Sequence, residues 1–305
     1  MKGFIQFQLW RDCNHKCPFC NAGVVSSSEE YKLKQLGFVK SEIESGKYKN
    51  ITRVGVIGGE FFDGQLSTER LITKFRDTIC YLTEKPEIEQ VLVASALLYK
   101  DSTTIDRVLG NVPNKDKIMV CTSWDSKYRF SISQPESLWE QNVKHIYDAK
   151  LASSVHVQTI LTSHFINLVL NNKFNIYDFE HKYHVRMDFN APTISALESD
   201  KYNMNTKLKD FFPKREDFLK FLSKVYKEGQ ADKDRFCNYD NMSDFLWYTI
   251  DTNYILLEGW HGPADGVTVN IQSPLPSMHE EKSDYIDSHI RMRKDVIDMW
   301  ENIYE

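Results

Sequence analysis

A chain of 305 residues is long enough for one large α/β domain with an appendage, or for two small domains. At 41% hydrophobic and 27% charged it has the composition of an ordinary folded globular protein, and no apolar stretch approaches the length of a membrane span. The net charge of −5, with acidic residues interleaved among the basic groups near Lys207–Arg215 and Arg291–Lys294, argues against a dedicated nucleic-acid binder, so DNA is a partner that the charge does not support.

The opening residues, Met1 to Phe7, read as the start of a strand and not as an apolar leader, which predicts a cytoplasmic protein whose thiols stay reduced. Phe4–Trp10 alternates apolar and polar and predicts a first strand. A Cys-rich loop follows. Leu33, Leu36, Val39 and Ile43 recur at helical spacing over Ser28–Ser45, with Ser28 as N-cap. Ile51–Ile57 is a second strand, and Ser67–Thr83 a helix capped by Ser67 or Thr68 with Leu71, Ile72, Phe75 and Ile79 on one face. Gln90–Tyr99 is almost continuously apolar, as buried parallel strands are. A short helix over Ser102–Leu109 leads to a fourth strand, Lys117–Trp124. Pro135–Ala149 is a helix, Ser154–Thr162 a fifth strand, 165–182 a helix and Val185–Asn190 a sixth strand ended by Pro192.

Strict alternation of strands and helices predicts parallel strands joined by right-handed crossovers. Periodicity leaves open whether six such units close. After residue 193 the pattern changes: 211–228 is helical, 245–257 fits a strand pair, 258–266 is a turn-rich loop, and 283–304 a terminal helix. The division is therefore a core over 1–192 and an extension over 193–305 that covers the mouth of the core. The aromatic residues concentrate after residue 174, as a well-packed layer or a stacking pocket would require.

Cys13, Cys17 and Cys20 form a C-x₃-C-x₂-C run within Arg11-Asp12-Cys13-Asn14-His15-Lys16-Cys17-Pro18-Phe19-Cys20. Three thiolates so spaced can hold three irons of a cube-shaped iron–sulfur cluster and leave the fourth open to another ligand. Val54-Gly55-Val56-Ile57-Gly58-Gly59-Glu60 adds an apolar strand ending in Gly-Gly-Glu, with Gly58 placed 38 residues after Cys20. A zinc knuckle using His15 competes, but His15 lies between two of the cysteines, too close for the usual separated ligand pairs.

The two motifs together resemble the signature of the radical S-adenosylmethionine (radical SAM) superfamily, over about residues 4–192. The resemblance implies an open six-stranded (β/α)₆ partial TIM barrel with the chemistry at the C-terminal ends of its strands. It implies one four-iron four-sulfur cluster on Cys13, Cys17 and Cys20, with S-adenosylmethionine chelating the open iron. Reductive cleavage would yield a 5′-deoxyadenosyl radical that removes a hydrogen atom from substrate, leading to rearrangement, elimination or coupling. A flavodoxin or ferredoxin would supply the electron. Phe19 is expected near the adenine, and Glu60 to offer its carboxylate to the SAM ammonium beside Gly58 and Gly59, whose missing side chains let backbone come close. Ser123, Gln158 and Asn190 are the further polar candidates for cofactor contact, with Asp188 an alternative on the last strand.

Alternation along the fourth strand puts Met119, Cys121 and Ser123 on one face. Cys121 is then a buried small side chain or a hydrogen-atom donor to a product radical. Asp125 to Phe130 follows on the same rim, where Arg129 or Lys127 suits a substrate phosphate or carboxylate. His181 and His184 read as surface histidines. Cys80, Cys121 and Cys237 are too few to ligate a second cluster. For substrate, a small or nucleotide-like molecule, such as a modified nucleobase, is expected: Cys17–Ala22 resembles the cluster segment of nucleotide-acting antiviral members of the superfamily. A peptide substrate is the alternative, and outside enzymes a zinc- or cluster-binding regulator.

Overall fold

The computed structural model describes residues 3–15, 26–47, 51–131, 133–190, 213–228 and 268–272. Phe19, Cys17, Cys20, His261, the 245–257 strand pair and the terminal helix lie outside these residues. The described strands are β1 (Gly3–Gln8), β2 (Ile51–Ile57), β3 (Gln90–Ala94), β4 (Ile118–Ser123), β5 (Ser154–Ile160), β6 (Arg186–Asn190) and β7 (Thr268–Gln272). The helices are α1 (Glu29–Glu44), α2 (Glu69–Glu84), α3 (Thr103–Leu109), α4 (Glu136–Asp148), α5 (Ser163–Leu170), α6 (Ile176–Tyr183) and α7 (Arg215–Lys227).

All strands pair in parallel in one open sheet of order β6-β5-β4-β3-β2-β1-β7. β1 to β6 follow chain order with a helix in each crossover, which is the (β/α)₆ partial barrel. β7 is an addition to the six strands that periodicity predicts. Its five residues come from the C-terminal region and pair with Phe4–Gln8 of β1, so the sheet crosses the expected division at residue 192. Pairing of this kind also removes an exposed edge from β1.

The two faces of the sheet differ. Ile5, Phe7, Val54, Val56, Val91, Val93, Val120, Val155, Val157, Met187 and Phe189 point toward the helices and join Leu36, Phe75, Ile79, Val143, Phe165 and Phe221 in the main core. Each such side chain contributes roughly 1.5–3 kcal/mol by leaving water. Leu92, Met119 and Cys121 form a separate cluster on the opposite, inner face, with Ile57 and Ala94 beside them. β5 shows the rule most clearly: its odd-numbered residues Val155, Val157 and Thr159 are buried and the even-numbered ones half-buried.

Several expected elements shorten or split. The third strand stops at Ala94; Ser95 and Ala96 then bond the Glu60 carboxylate, and Leu97 takes a left-handed backbone, φ 54°. The helix expected over 165–182 is two helices, α5 and α6, separated at Asn172, which is also left-handed at φ 55°. Ser28 and Thr68 cap α1 and α2 through their hydroxyls, accepting from the amides of Tyr31 and Leu71. No helix among the described residues is long and apolar enough to cross a membrane.

Candidate active site

The C-terminal ends of β1 and β2 are bound to each other beyond the strands themselves. Gly59 N donates to Trp10 O and Glu60 N to Asp12 O, both at 2.8 Å. The base of the Cys loop is thereby zipped to the Gly-Gly-Glu turn. The fit requires glycine: a Cβ on Gly59 would stand 2.0 Å from Asp12 O, and one on Gly58 2.7 Å from Trp10 O. Backbone does approach these glycines closely, and the approaching backbone is the chain's own.

Asp12 fastens both ends of the loop. Its carboxylate accepts from the amide of Ser27 at 2.7 Å and from the Ser27 hydroxyl at 2.6 Å, and it pairs with Lys32 Nζ at 3.1 Å. Lys32 reaches down from α1, also donates to the carbonyl and side-chain oxygens of Gln65, and lies over the Trp10 ring at 5.5 Å. Burial pushes the Asp12 carboxyl up, but the Ser27 hydrogen bonds and the Lys32 charge outweigh it, so its pKa falls below the ordinary 3.8. This explains the departure of α1 from its apolar pattern. Lys32 and Gln35 occupy buried positions beside Leu36 and Val39.

Cys13 is half-buried at the loop's start, and its sulfur accepts from His15 N at 3.4 Å. The His15 side chain is 2% exposed, yet among the described residues neither ring nitrogen has a hydrogen-bond partner, and the Asp63 carboxylate stands 3.8 Å from Nε2. Trp10 Nε1 is buried and unpartnered among the described residues as well. Buried polar atoms without partners are uncommon because each forfeits its hydration. The Cys13 sulfur beside the orphaned His15 ring, at the base of the Cys loop, is a donor set that fits an iron–sulfur cluster.

Glu60 is fully buried. Oε1 accepts from Phe62 N and Ser95 Oγ, both at 2.9 Å, and Oε2 accepts from Ala96 N. The carboxylate therefore ties the end of β2 to the end of β3. A carboxylate has about four acceptor positions, so three protein donors leave about one for anything else.

On β4, Cys121 lies beside Met119 as the alternation predicts. Burial, with Asp188 nearby, pushes its thiol up to about 12, and Gln158 hydrogen-bonds it. Ser123 is half-buried in register with Gln158, and Gln158 with Asp188. Asn190 ends β6 opposite Ile160. The structure thus brings Cys121, Ser123 and Gln158 together on the β4–β5 part of the inner face, with β4 three strands along the sheet from β1. Arg129 is half-buried on a turn organised by Asp125, whose Oδ1 accepts from Lys127 N and Tyr128 N at 2.8 and 2.7 Å. Burial raises the pKa of that carboxyl. Two histidines carry no sequence signal beyond their residue type. His164 Nε2 meets Ser126 Oγ at 3.1 Å on the same rim, and His156 Nδ1 meets Asp188 Oδ2.

The architecture has known counterparts. No protein-family model matches the sequence, and no curated protein does. Among solved structures, SuiB of Streptococcus suis bound to S-adenosylmethionine matches with a TM-score of 0.53 at 12% identity, over 89% of this chain and 58% of SuiB. SuiB has also been solved with the precursor peptide SuiA. anSMEcpe with bound AdoMet matches with a TM-score of 0.52 at 16% identity, over 75% of this chain and 60% of that one. The fold of this chain is similar to theirs. It spans less than two thirds of the length of either.

Proposed function

We propose that this chain is a radical SAM enzyme: one that reductively cleaves S-adenosylmethionine on a four-iron four-sulfur cluster and takes a hydrogen atom from a small or nucleotide-like substrate. The observation that carries the reading is the junction of the Cys13 loop with the Gly58-Gly59-Glu60 turn, through two backbone hydrogen bonds at the C-terminal ends of β1 and β2. Likeness of fold to two proteins solved with S-adenosylmethionine supports it.

Cys13, Cys17 and Cys20 would ligate the cluster, and the backbone of Gly58 and Gly59 would border the cofactor's methionine end. When bound, cluster and cofactor together supply a carbon-centred radical able to abstract hydrogen from unactivated carbon. The chain's own part is positioning and exclusion. Asp12, Ser27 and Lys32 hold the Cys loop at a fixed entry and exit. Glu60 holds the β2 and β3 ends in register, with about one acceptor position left for the cofactor's ammonium. Ser123, Gln158 and Asn190 would contact the cofactor's polar groups, and Arg129 the substrate. Cys121 stays a thiol at neutral pH, which suits a hydrogen-atom donor to a product radical. A flavodoxin or ferredoxin is the electron donor that the reaction requires.

A peptide substrate is the second reading, because SuiB was solved with a precursor peptide. Anaerobic reconstitution tests the class. About four irons per chain and formation of 5′-deoxyadenosine under dithionite are expected. Stoichiometric zinc with no cleavage of S-adenosylmethionine would show a metal-binding regulator instead. Deuterated substrates that pass label into 5′-deoxyadenosine would then separate nucleotide from peptide.

A further inference from the structure

The His15 ring combines deep burial with no polar partner among the described residues. Its side chain is 2% exposed, and neither Nδ1 nor Nε2 has a hydrogen bond. Its backbone is held on both sides. Asn14 donates from Nδ2 to Asp63 O at 2.7 Å and accepts at Oδ1 from Gln65 Nε2 at 3.2 Å, so the turn beyond Gly58-Gly59-Glu60 grips the preceding residue. The His15 amide itself donates to Cys13 Sγ at 3.4 Å. The Asp63 carboxylate stands 3.8 Å from Nε2 and is 28% exposed, which puts it beyond hydrogen-bond reach of the ring.

A buried polar group left unpaired forfeits its hydration with no return. An imidazole needs no assigned protonation state to be a donor: the neutral ring carries one N–H and the cation two. A ring that always has an N–H, buried beside Cys13 Sγ with no acceptor of its own, points to an acceptor that binds at the loop. The sulfurs of an iron–sulfur cluster are such acceptors. Imidazole is also a metal ligand, but the loop already offers three thiolates, Cys13, Cys17 and Cys20. A fourth protein ligand would close the position that a catalytic site keeps open.

We propose that the His15 ring donates an N–H hydrogen bond to a sulfur of the cluster held at Cys13, and that it thereby raises the reduction potential of the cluster. The inference rests on the proposed function, which puts the cluster on this loop. An added electron increases the negative charge on the cluster sulfurs, so a donor aimed at one of them is held more strongly in the reduced form than in the oxidised form. Hydrogen bonds to sulfur are among the factors that set such potentials. A less negative potential lessens what the electron donor must supply. His15 is a tuning group in this arrangement and not a ligand.

The test uses the full-length protein, reconstituted anaerobically and titrated without S-adenosylmethionine. His15→Phe keeps a planar ring of similar size and removes both nitrogens. Redox titration followed by electron paramagnetic resonance should place its midpoint more negative than the parent's, by about a tenfold change in the reduced-to-oxidised ratio, the loss of about one hydrogen bond, or about 59 mV for one electron. Iron per chain should be unchanged. His15→Asn and His15→Gln, whose amides reach about as far as Nδ1 and Nε2, should between them restore part of the shift. Equal midpoints for the parent and His15→Phe overturn the proposal. Loss of iron in His15→Phe also overturns it, because His15 would then be a ligand or a structural support. A second measurement needs no variant. In parent protein labelled with ¹⁵N-histidine, the reduced cluster should show the weak nitrogen coupling of a hydrogen-bonded ring; no coupling, or the strong coupling of an iron-bound imidazole, overturns the proposal. A parent that binds no four-iron cluster overturns this inference and the radical SAM reading together. A parent that holds the cluster but cleaves no S-adenosylmethionine overturns the radical SAM reading alone.

Discussion

The amide of Glu60 donates to the carbonyl of Asp12 at 2.8 Å. Two motifs that lie 38 residues apart by the count from Cys20 to Gly58 are therefore one structural unit. The side chains of the same two residues extend it, Asp12 across the neck of the Cys loop to Ser27 and Glu60 across to Ser95 on the next strand.

The glycine at 59 is set by this junction. Gly59→Ala must displace the Asp12 backbone and break or stretch two buried hydrogen bonds, a loss of about 2–3 kcal/mol. Gly37 lies in the middle of α1, where a Cβ would meet nothing within 4 Å. It should behave oppositely, with Gly37→Ala stabilising by up to about 1 kcal/mol. Urea denaturation of the two variants checks both signs. Equal effects would mean that the close approach at Gly59 is not what constrains it.

Glu60→Gln keeps size and shape but replaces one acceptor oxygen with an amide NH₂ group that faces a donor. With three protein donors on the carboxylate, the expected cost is about 2–3 kcal/mol, seen as a lower melting temperature without S-adenosylmethionine present. An unchanged melting temperature with weaker cofactor binding would assign the carboxylate to the cofactor alone.

Asp12→Asn should loosen the Cys loop, and reconstituted protein should hold less iron per chain than the parent while its circular dichroism is retained. The pH dependence follows from the sign of the shift. The folded carboxyl titrates below its ordinary 3.8, so its contribution is complete at pH values above the unfolded value and is lost as pH falls through the folded one. Between about pH 5 and pH 2 the Asp12→Asn variant should therefore lose less stability than the parent, measured as the difference in urea midpoints.

Cys121, with its thiol pushed up to about 12, is about 10⁻⁴ thiolate at pH 8, and thiolate is the nucleophile. Iodoacetamide at that pH should leave Cys121 unmodified in the native protein and alkylate it after unfolding in guanidinium. Rapid modification in the native state would contradict its burial.

Local patterns are enough to lay out the core. Two-residue alternation over Phe4–Trp10 and the run of apolar residues in β3 predict strands, and Ser28 and Thr68 mark helix starts, because these signals depend on neighbours within a few residues. The break at Asn172 does have a local signal, the polar run Asn171-Asn172-Lys173 followed by the Asn175 cap, which the helical spacing of the flanking apolar residues masks when 165–182 is read as one helix. Lys32 on a buried face escapes local patterns. Its partners, Asp12 and Gln65, belong to other segments, so nothing in α1 itself announces the burial.

The chain taken alone thus determined the alternation of six strands and helices and the types of residue near the cysteines, since periodicity and spacing are local properties. Folding decided which carboxylates bind groups inside the protein, which strand β7 joins, and that His156, Asp188 and Arg186 meet on one face. Those depend on parallel register between strands that lie about 30 residues apart in the chain, a distance over which only tertiary contacts carry information.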